Sequence, residues 1–208
     1  MKVSIYTPVY NQQELILRAL ESVPARDDVE IVLCDDGSSD ASLAVMVKYC
    51  IDHPEKNIRV MWNEQNIGAA RTINRILDTC TGEYVYALDN DDYLYTDEFV
   101  KCLDELDGTD IVYVSMRINS GAVWKVTPET KRNLCAGFTK FIRREYLGTK
   151  RHPTDIWCSD WHLNEQLQSE PHTEKFTDLI PYHYNFPREG SMIWMASKGM
   201  IPEGYRTV

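Results

Sequence analysis

The sequence predicts an α/β fold with a mostly parallel sheet, and two observations carry this prediction. In residues 1–115, short runs rich in β-branched and aromatic residues alternate with amphipathic stretches, a pattern typical of successive βαβ units. Each of the first four predicted strands also runs directly into a polar, turn-forming segment. A length of 208 residues fits a single domain, and we expect residues 1–208 to form one.

The elements follow in a regular order along the first half of the chain. Strands are predicted over 2–6, 29–34, 58–62, 83–88 and 110–114. Helices with one apolar face are predicted over 15–23, 43–51, 67–79 and 97–106. In the second of these helices we expect the buried stripe to consist of Leu43, Met46, Val47, Cys50 and Ile51.

The pattern changes after residue 115. Ser120 and Gly121 form a predicted hairpin turn before a strand over 123–126, and a helix is predicted over 156–167. We therefore expect a ligand-binding half over 1–115 and a smaller region over 116–208.

Composition and charge narrow the classes of function. Hydrophobic residues make up 43% and charged residues 26% of the chain, which indicates a globular protein. The formal charge of -10 disfavours a nucleic-acid partner without excluding it. No apolar run is long enough to span a membrane, and residue 1 leads straight into a strand without a signal-peptide pattern. We expect a cytoplasmic protein.

The six cysteines are predicted to be free, buried thiols. They lie far apart in the sequence, mostly within apolar runs, and none forms a CxxC pair of the kind that binds zinc.

The polar segments after the strands are the candidate ligand site. In open parallel sheets, ligands bind beyond the carboxyl ends of the strands. The four segments that follow the first four predicted strands are 7–11, 35–40, 63–68 and 89–92. Any one of them has an alternative interpretation as an ordinary turn, but four at one edge indicate a site.

The segment Asp89-Asn90-Asp91-Asp92 carries the strongest chemical signal. Three carboxylates at the end of an apolar strand repel one another unless a cation or a basic group neutralises them. Oxygen ligands suit Mg²⁺ or Mn²⁺, which commonly bind one or two carboxylates together with substrate phosphates. This pattern favours a nucleoside diphosphate ligand, with a solvated acidic turn as the alternative.

These motifs together resemble the family-two glycosyltransferases of the GT-A fold. The resemblance rests on Thr-Pro-Val-Tyr-Asn at 7–11, Asp-Asp-Gly-Ser-Ser-Asp at 35–40, Asn-x-Gly at 66–68, Gly-Glu-Tyr at 82–84 and Asp-Asn-Asp-Asp at 89–92, in the family's order. It extends through residues 138–144 and 159–163 and covers about 1–190. It implies a GT-A type fold, that is, a Rossmann-like nucleotide-binding sheet flanked by helices, with a smaller acceptor-side region.

The resemblance also implies which residues hold a nucleotide-sugar donor, most simply a UDP-sugar. Asp91 would bind a divalent metal, Mn²⁺ or Mg²⁺, with Asp89 as a further ligand or as a contact to the ribose or sugar. Asp92 would orient the donor sugar. The full set of expected donor-binding residues is Thr7, Pro8, Tyr10, Asn11, Asp36, Asn66, Gly68, Asp89, Asn90, Asp92 and Arg188.

On the acceptor side, the resemblance points to Asp160 as the base that takes the proton of an acceptor hydroxyl, on a saccharide or another molecule, with inversion at the anomeric carbon. The alternative interpretation of Asp160 is a helix cap. The chain departs from the family by having Ser159 where a glutamate is usual and Arg188 where a metal-binding histidine is frequent. Arginine cannot bind a metal, so we expect Arg188 to pair with the diphosphate.

A third departure is Arg71, which lies two positions before the usual arginine and is expected to face solvent. The histidines are assigned no chemical role, and His183 is expected to be structural. Two alternatives to the enzyme stay open. One is a non-catalytic protein that binds nucleotide sugars, and the other is a glycosyltransferase that acts on modified DNA.

Overall fold

The computed structural model describes residues 2–156 and 159–200. The strands are β1 (Val3–Val9), β2 (Val29–Asp35), β3 (Asn57–Trp62), β4 (Tyr84–Ala87), β5 (Tyr93–Leu94), β6 (Ile111–Tyr113), β7 (Met116–Ile118), β8 (Val123–Trp124), β9 (Lys140–Arg143), β10 (Glu174–Phe176) and β11 (Tyr182–Tyr184). The helices are α1 (Ile16–Ser22), α2 (Ser42–Asp52), α3 (Ala69–Leu77), α4 (Thr96–Asp104), α5 (Arg144–Leu147), α6 (Asp160–Gln168) and α7 (Met192–Ser197). Each predicted strand and helix has a counterpart, and the α/β class is confirmed.

Seven strands form the main sheet, in the order β10-β6-β9-β4-β1-β2-β3. β1 pairs in parallel with β2 and β4, and β2 pairs in parallel with β3. The carboxyl ends of these four strands therefore lie at one edge of the sheet. β9 runs antiparallel to its neighbours β4 and β6, so the sheet is mostly parallel, as predicted.

The core lies around the central strands of this sheet. Every residue of β2 and all but one of β1 are buried, which explains their almost continuous apolar sequences. On β4, the Tyr86 ring stacks on Phe141 of β9 with 4.1 Å between ring centroids, and both rings pack near Phe99 of α4. These aromatic contacts fix β9 between β4 and β6, although β9 belongs to the second half of the sequence.

A second sheet of four strands, ordered β5-β11-β7-β8, carries the C-terminal segment to the ligand edge. β5 begins directly after Asp92, and β11 pairs antiparallel with β5 and parallel with β7. β7 and β8 form the antiparallel hairpin that was predicted around Ser120 and Gly121. Because β11 pairs with β5, residues 182–188 are held beside the end of β4.

Two predicted helices differ from expectation. In α2 the expected buried residues Val47 and Ile51 are exposed, and the buried residues are Ser42, Met46 and Tyr49. α2 packs against β3 at the edge of the sheet, so only a narrow face of the helix is covered. The helix predicted to start at residue 156 starts at Asp160, and residues 157 and 158 lie outside the described residues.

The described cysteines carry no disulfide: Cys34, Cys80 and Cys102 are buried, and Cys50 and Cys135 are half-buried. Cys158 is outside the described ranges. Within those ranges, none of the helices has the length and apolar character needed to cross a bilayer.

Glu30 of β2 is a buried carboxylate that ties together β1, β3 and the turn before β4. It accepts hydrogen bonds from the Ser4 hydroxyl, from the Thr81 N–H at 2.6 Å and from Arg59 Nη2 at 3.0 Å. Burial raises the pKa of Glu30, but the hydrogen bonds from Ser4 and Thr81 and the charge of Arg59 outweigh burial and hold that pKa below its ordinary value. Glu30 is therefore ionised in the folded chain at neutral pH.

We predict that Glu30→Gln lowers the free energy of unfolding at pH 7 by about 1–3 kcal/mol, because buried donors lose a charged acceptor. Since the folded-state pKa is lowered, the stabilisation is present above the ordinary glutamate pKa of about 4.3 and is lost as the pH falls through the lower folded value. Urea unfolding at pH 7 and at successively lower pH should show the difference from wild type shrinking. The exposed Glu21→Gln on α1 is the matched control. A difference that does not change with pH would contradict the prediction.

Candidate active site

The loops that follow β1 and β2 are joined by hydrogen bonds at the carboxyl edge of the sheet. The Asn11 N–H donates to Ser38 Oγ at 2.9 Å, and the Ser39 N–H donates to Asn11 Oδ1 at 2.8 Å. Asn11 has a φ of 52°, a left-handed conformation that asparagine tolerates better than most residues. Tyr10 beside it is 46% exposed, so its ring is free to stack on a base.

Asp36 organises the loop that follows β3. It is buried, and its carboxylate accepts hydrogen bonds from Asn63 Nδ2 at 2.8 Å, from the Ile67 N–H at 2.9 Å and from the Gly68 N–H at 3.0 Å. Neighbouring Gly37 has a φ of +68°, and a Cβ on it would lie 2.4 Å from the backbone of Gln65. The glycine allows the loops after β2 and β3 to approach closely enough for these bonds.

Each residue of the acid loop, residues 89–92, bonds to a neighbouring segment of the chain. Asn90 Nδ2 donates to the Pro8 carbonyl at 2.6 Å and so connects the acid loop to the end of β1. Asp92 is fully buried and accepts hydrogen bonds from the Tyr182 hydroxyl at 2.6 Å and from the Asn185 N–H at 2.7 Å. The Asp89 N–H donates to the same Tyr182 hydroxyl at 3.0 Å.

Asp91 forms an ion pair with Arg188, with 2.5 Å between Oδ2 and Nε. Both side chains are largely but not fully buried. The Asp91 carbonyl also accepts a bond from Arg18 Nη2. The expected partner of Arg188 was a diphosphate, whereas in the structure it neutralises the residue that was expected to bind the metal.

Burial and neighbouring negative charges raise the pKa of two carboxylates of the acid loop, Asp89 and Asp92. Burial raises the pKa of Asp89 well above its ordinary value, and the negative charges of Asp92, Asp91 and Asp160 add to this effect. Burial and the charge of Asp91 raise the pKa of Asp92 to about 7. Asp160 contributes to the raised pKa of Asp89, so the charges of these two acids interact although they belong to opposite halves of the sequence.

Asp160 is the first residue of α6 and its side chain is 43% exposed, so a substrate can reach it. The charge of Asp160 acts on the buried Lys140, whose Nζ donates to the Cys135 carbonyl at 2.6 Å. Burial lowers the pKa of Lys140 to about 8, against the opposing influence of Cys135 and Asp160. Lys140 was not among the residues expected at the site, because no local sequence pattern indicates that a lysine in a strand is buried.

The chemistry of the acid loop fits a divalent cation bound together with a ligand. No group of three or more His, Cys, Asp or Glu side chains in 2–156 and 159–200 is arranged to hold a metal by itself. Mg²⁺ and Mn²⁺ sites, however, often use one or two carboxylates and take their other ligands from phosphates and water. Asp91 and Asp89 supply such oxygens, and a cation on Asp91 would compete with Arg188.

The remaining expected donor residues differ in how accessible they are. Thr7 is fully buried, and its hydroxyl has no hydrogen-bond partner among the described residues. Asn66 is exposed and accepts a bond from the Gly68 N–H. Asp92 is buried as well and uses its carboxylate within the protein, and the expected contacts of Thr7 and Asp92 with the donor stay predictions.

Two further expectations are met. Arg71 is exposed, and its guanidinium donates to the Ile67 carbonyl just before α3. His183 is structural: its ring stacks on Tyr93 with 4.3 Å between centroids, and its nitrogens contact the Tyr95 hydroxyl and Asn119 Oδ1 at 2.9 Å each. Sequence reasoning missed Tyr182, because its hydroxyl reaches the acid loop only through the pairing of β11 with β5.

Comparison with solved structures confirms the GT-A type of fold. TarS of S. aureus (residues 1–349, in complex with UDP-GlcNAc) matches with a TM-score of 0.80 and 23% identity, over 93% of this chain and 60% of that one. The mannosyltransferase PcManGT of Pyrobaculum calidifontis, in complex with GDP-Man and Mn²⁺, matches with a TM-score of 0.75 and 20% identity, over 95% of this chain and 60% of that one. At these identities the likeness concerns the fold.

Comparison of sequences identifies the family. The chondroitin synthase of Escherichia coli is 31% identical over 160 residues, which cover 69% of this chain. The chain spans only 23% of the length of that relative. The family model for glycosyl transferase family 2 matches residues 4–161, which include the loops that follow β1, β2, β3 and β4 and the expected base. On this match, and on the shared order of its motifs, the chain belongs to glycosyl transferase family 2.

Proposed function

We propose that the chain transfers a sugar from a nucleotide sugar, most simply a UDP-sugar, to a hydroxyl of a saccharide or similar acceptor, with inversion at the anomeric carbon. The observation that carries the proposal is the position of Asp89 and Asp91 just after the carboxyl end of β4, within range of the charge of the accessible Asp160. This chemistry requires carboxylates that bind a cation for the diphosphate. It also requires an accessible carboxylate that takes the proton of the acceptor hydroxyl.

On the donor side, the exposed Tyr10 ring is the surface on which the base stacks. Asp36 holds the loop that contains Asn66 and Gly68, because it accepts hydrogen bonds from the Ile67 and Gly68 N–H groups. A divalent cation on Asp91 would stabilise negative charge on the leaving diphosphate as a Lewis acid. Arg188 adds a permanent positive charge next to the same position.

On the acceptor side, Asp160 accepts the proton of the hydroxyl as its oxygen attacks the anomeric carbon. The bond from that carbon to the diphosphate breaks, and the nucleoside diphosphate leaves with the bonding electron pair. Because attack and departure occur on opposite sides of the carbon, a single displacement inverts the configuration. The proton then leaves Asp160 to solvent, which its exposure permits.

A second candidate, a non-catalytic protein that binds nucleotide sugars, is favoured by one specific observation. The pair between Arg188 and Asp91 occupies the carboxylate that a metal needs. If that pair persists when a donor binds, the leaving group has less assistance and the chain binds its ligand without turnover.

The first test is release of UDP. We predict that the purified chain with Mn²⁺ releases UDP from at least one member of a panel of UDP-glucose, UDP-N-acetylglucosamine and UDP-glucuronate. Asp160→Asn should lower the rate at least about 100-fold, because it removes the base but keeps the shape of the side chain. UDP affinity, measured by calorimetry, should stay within about twofold of wild type.

The control for that test is Asp178→Asn, which alters an exposed carboxylate elsewhere in the second half. Normal UDP release by Asp160→Asn would contradict the assignment of the base. Tight UDP binding without release from any donor by the wild-type chain would favour the non-catalytic candidate.

The second test concerns the metal. We predict that UDP and Mn²⁺ together raise the melting temperature by more than the sum of their separate effects, on the order of 5 °C at saturating concentrations. Asp91→Asn should abolish the increment that depends on both ligands, because it removes the charge that attracts the cation. The exposed Asp97→Asn at the start of α4 is the matched control. If Asp91→Asn keeps the full joint increase in melting temperature, the cation binds somewhere other than the acid loop.

The third test separates two interactions of Arg188, the ion pair with Asp91 and the expected contact with the diphosphate. We predict that Arg188→Gln increases the affinity for Mn²⁺ alone about 3- to 10-fold, because the cation no longer competes with an arginine for Asp91. The same substitution should weaken UDP binding in the presence of Mn²⁺, because one positive charge near the diphosphate is lost. Both affinities are measured by calorimetry. Tighter UDP binding in Arg188→Gln would exclude a role for Arg188 in holding the diphosphate.

A further inference from the structure

His152 lies in a buried position between the donor-side helix α3 and the start of α6. Its backbone is held by one side chain: Asn74 Oδ1 accepts a bond from the His152 N–H at 2.9 Å, and Asn74 Nδ2 donates to the His152 carbonyl at 2.8 Å. α3 begins directly after the loop that Asp36 organises. The position of His152 is therefore fixed relative to the donor side of the site.

The imidazole of His152 is directed at the residues that begin α6. Its Nδ1 lies 2.9 Å from Ser159 Oγ and 4.0 Å from Asp160 Oδ1. The ring is 1% exposed, and Nε2 has no hydrogen-bond partner among the described residues. The contact to Ser159 has hydrogen-bond length, whereas the approach to Asp160 is electrostatic.

The surrounding groups keep this imidazole neutral at pH 7. Burial lowers the pKa of His152, Asp160 opposes that effect, and the positive charges of Lys140 and Arg151 reinforce it. A neutral imidazole has one N–H and one acceptor nitrogen. A proton on Nδ1 donates to Ser159 and presents its positive end toward Asp160, whereas a proton on Nε2 would be a buried donor without a described partner. The Nδ1–H tautomer follows.

We propose that His152 is a positioning residue for Asp160, acting through Ser159 and through its own N–H to hold the carboxylate where the acceptor hydroxyl arrives. The inference rests on the proposed function of Asp160 as the base. It also gives Ser159 a role: in the place of the family's usual glutamate, this chain has a hydroxyl that connects the first turn of α6 to the buried imidazole.

The test compares His152→Leu with His152→Asn in the UDP-release assay, with Mn²⁺ and the UDP-sugar that wild type uses fastest. His152→Leu should lower kcat about 10- to 100-fold, the size expected for a misplaced reacting group, and should leave the donor KM within about twofold. His152→Asn should recover most of the loss, because its amide N–H lies near the position of Nδ1. His172→Leu is the control, since it removes another largely buried imidazole that contacts Glu174 rather than Asp160.

A double-mutant comparison separates positioning from a merely structural role. In the Asp160→Asn background, His152→Leu should change the residual kcat by less than about twofold, because no carboxylate remains to be positioned. A structural defect would lower kcat by a similar factor in both backgrounds. If His152→Leu does not fold, Ser159→Ala replaces it in both backgrounds and should lower kcat several-fold only where Asp160 is intact.

The outcomes distinguish the two proposals. A wild-type chain that releases no UDP from any donor overturns the proposed function and the positioning role with it. An active wild type in which His152→Leu is as fast as wild type, or in which the losses in the two backgrounds are equal, overturns the positioning role and leaves the proposed function standing.

Discussion

The repulsion between the carboxylates that follow β4 is the constraint on which the site depends. A folded chain can keep three acids at the end of one apolar strand only if each negative charge meets a donor or a cation. The C-terminal segment supplies such partners for two of the three acids, and it can do so because β11 pairs with β5, whereas the raised pKa of Asp89 favours its neutral form. The partners are the Tyr182 hydroxyl and the Asn185 N–H on Asp92, and the Arg188 guanidinium on Asp91. The acid loop and residues 182–188 thus form one structural unit.

The motif residues divide into those that shape the loops and those that are accessible to a ligand. Asp36 and Asp92 are buried and use their oxygens within the protein. Tyr10 is 46% exposed, and the side chain of Asp160 is 43% exposed. A buried carboxylate that binds backbone N–H groups fixes loop geometry, and only the exposed groups can then meet a substrate without rearrangement. Preorganisation of this kind lets a site act on charge that develops during a reaction.

The sequence predicted the features that have a local signature. The strands of the first half were found because buried parallel strands are continuous apolar runs, and the acid loop was found because acids rarely follow such a run. The insertion of β9 between β4 and β6 was not predicted, since pairing between distant segments leaves no local pattern. The exposure of Val47 and Ile51 was missed for a related reason: how much of an amphipathic face is covered depends on the neighbouring strands. The partner of Arg188 and the environment of His152 likewise depend on tertiary contacts.

The arginine at position 188 changes the charge balance of the site rather than only removing a metal ligand. A histidine in that place would add a neutral nitrogen to the coordination of a cation, whereas a guanidinium adds a permanent positive charge and cannot bind a metal. Paired with Asp91, Arg188 cancels the charge that would attract a free divalent cation. A diphosphate carries the negative charge that both the cation and the guanidinium need. On the proposed function, a nucleotide would therefore make cation binding favourable at Asp91, and we expect cation and donor to enter this site together.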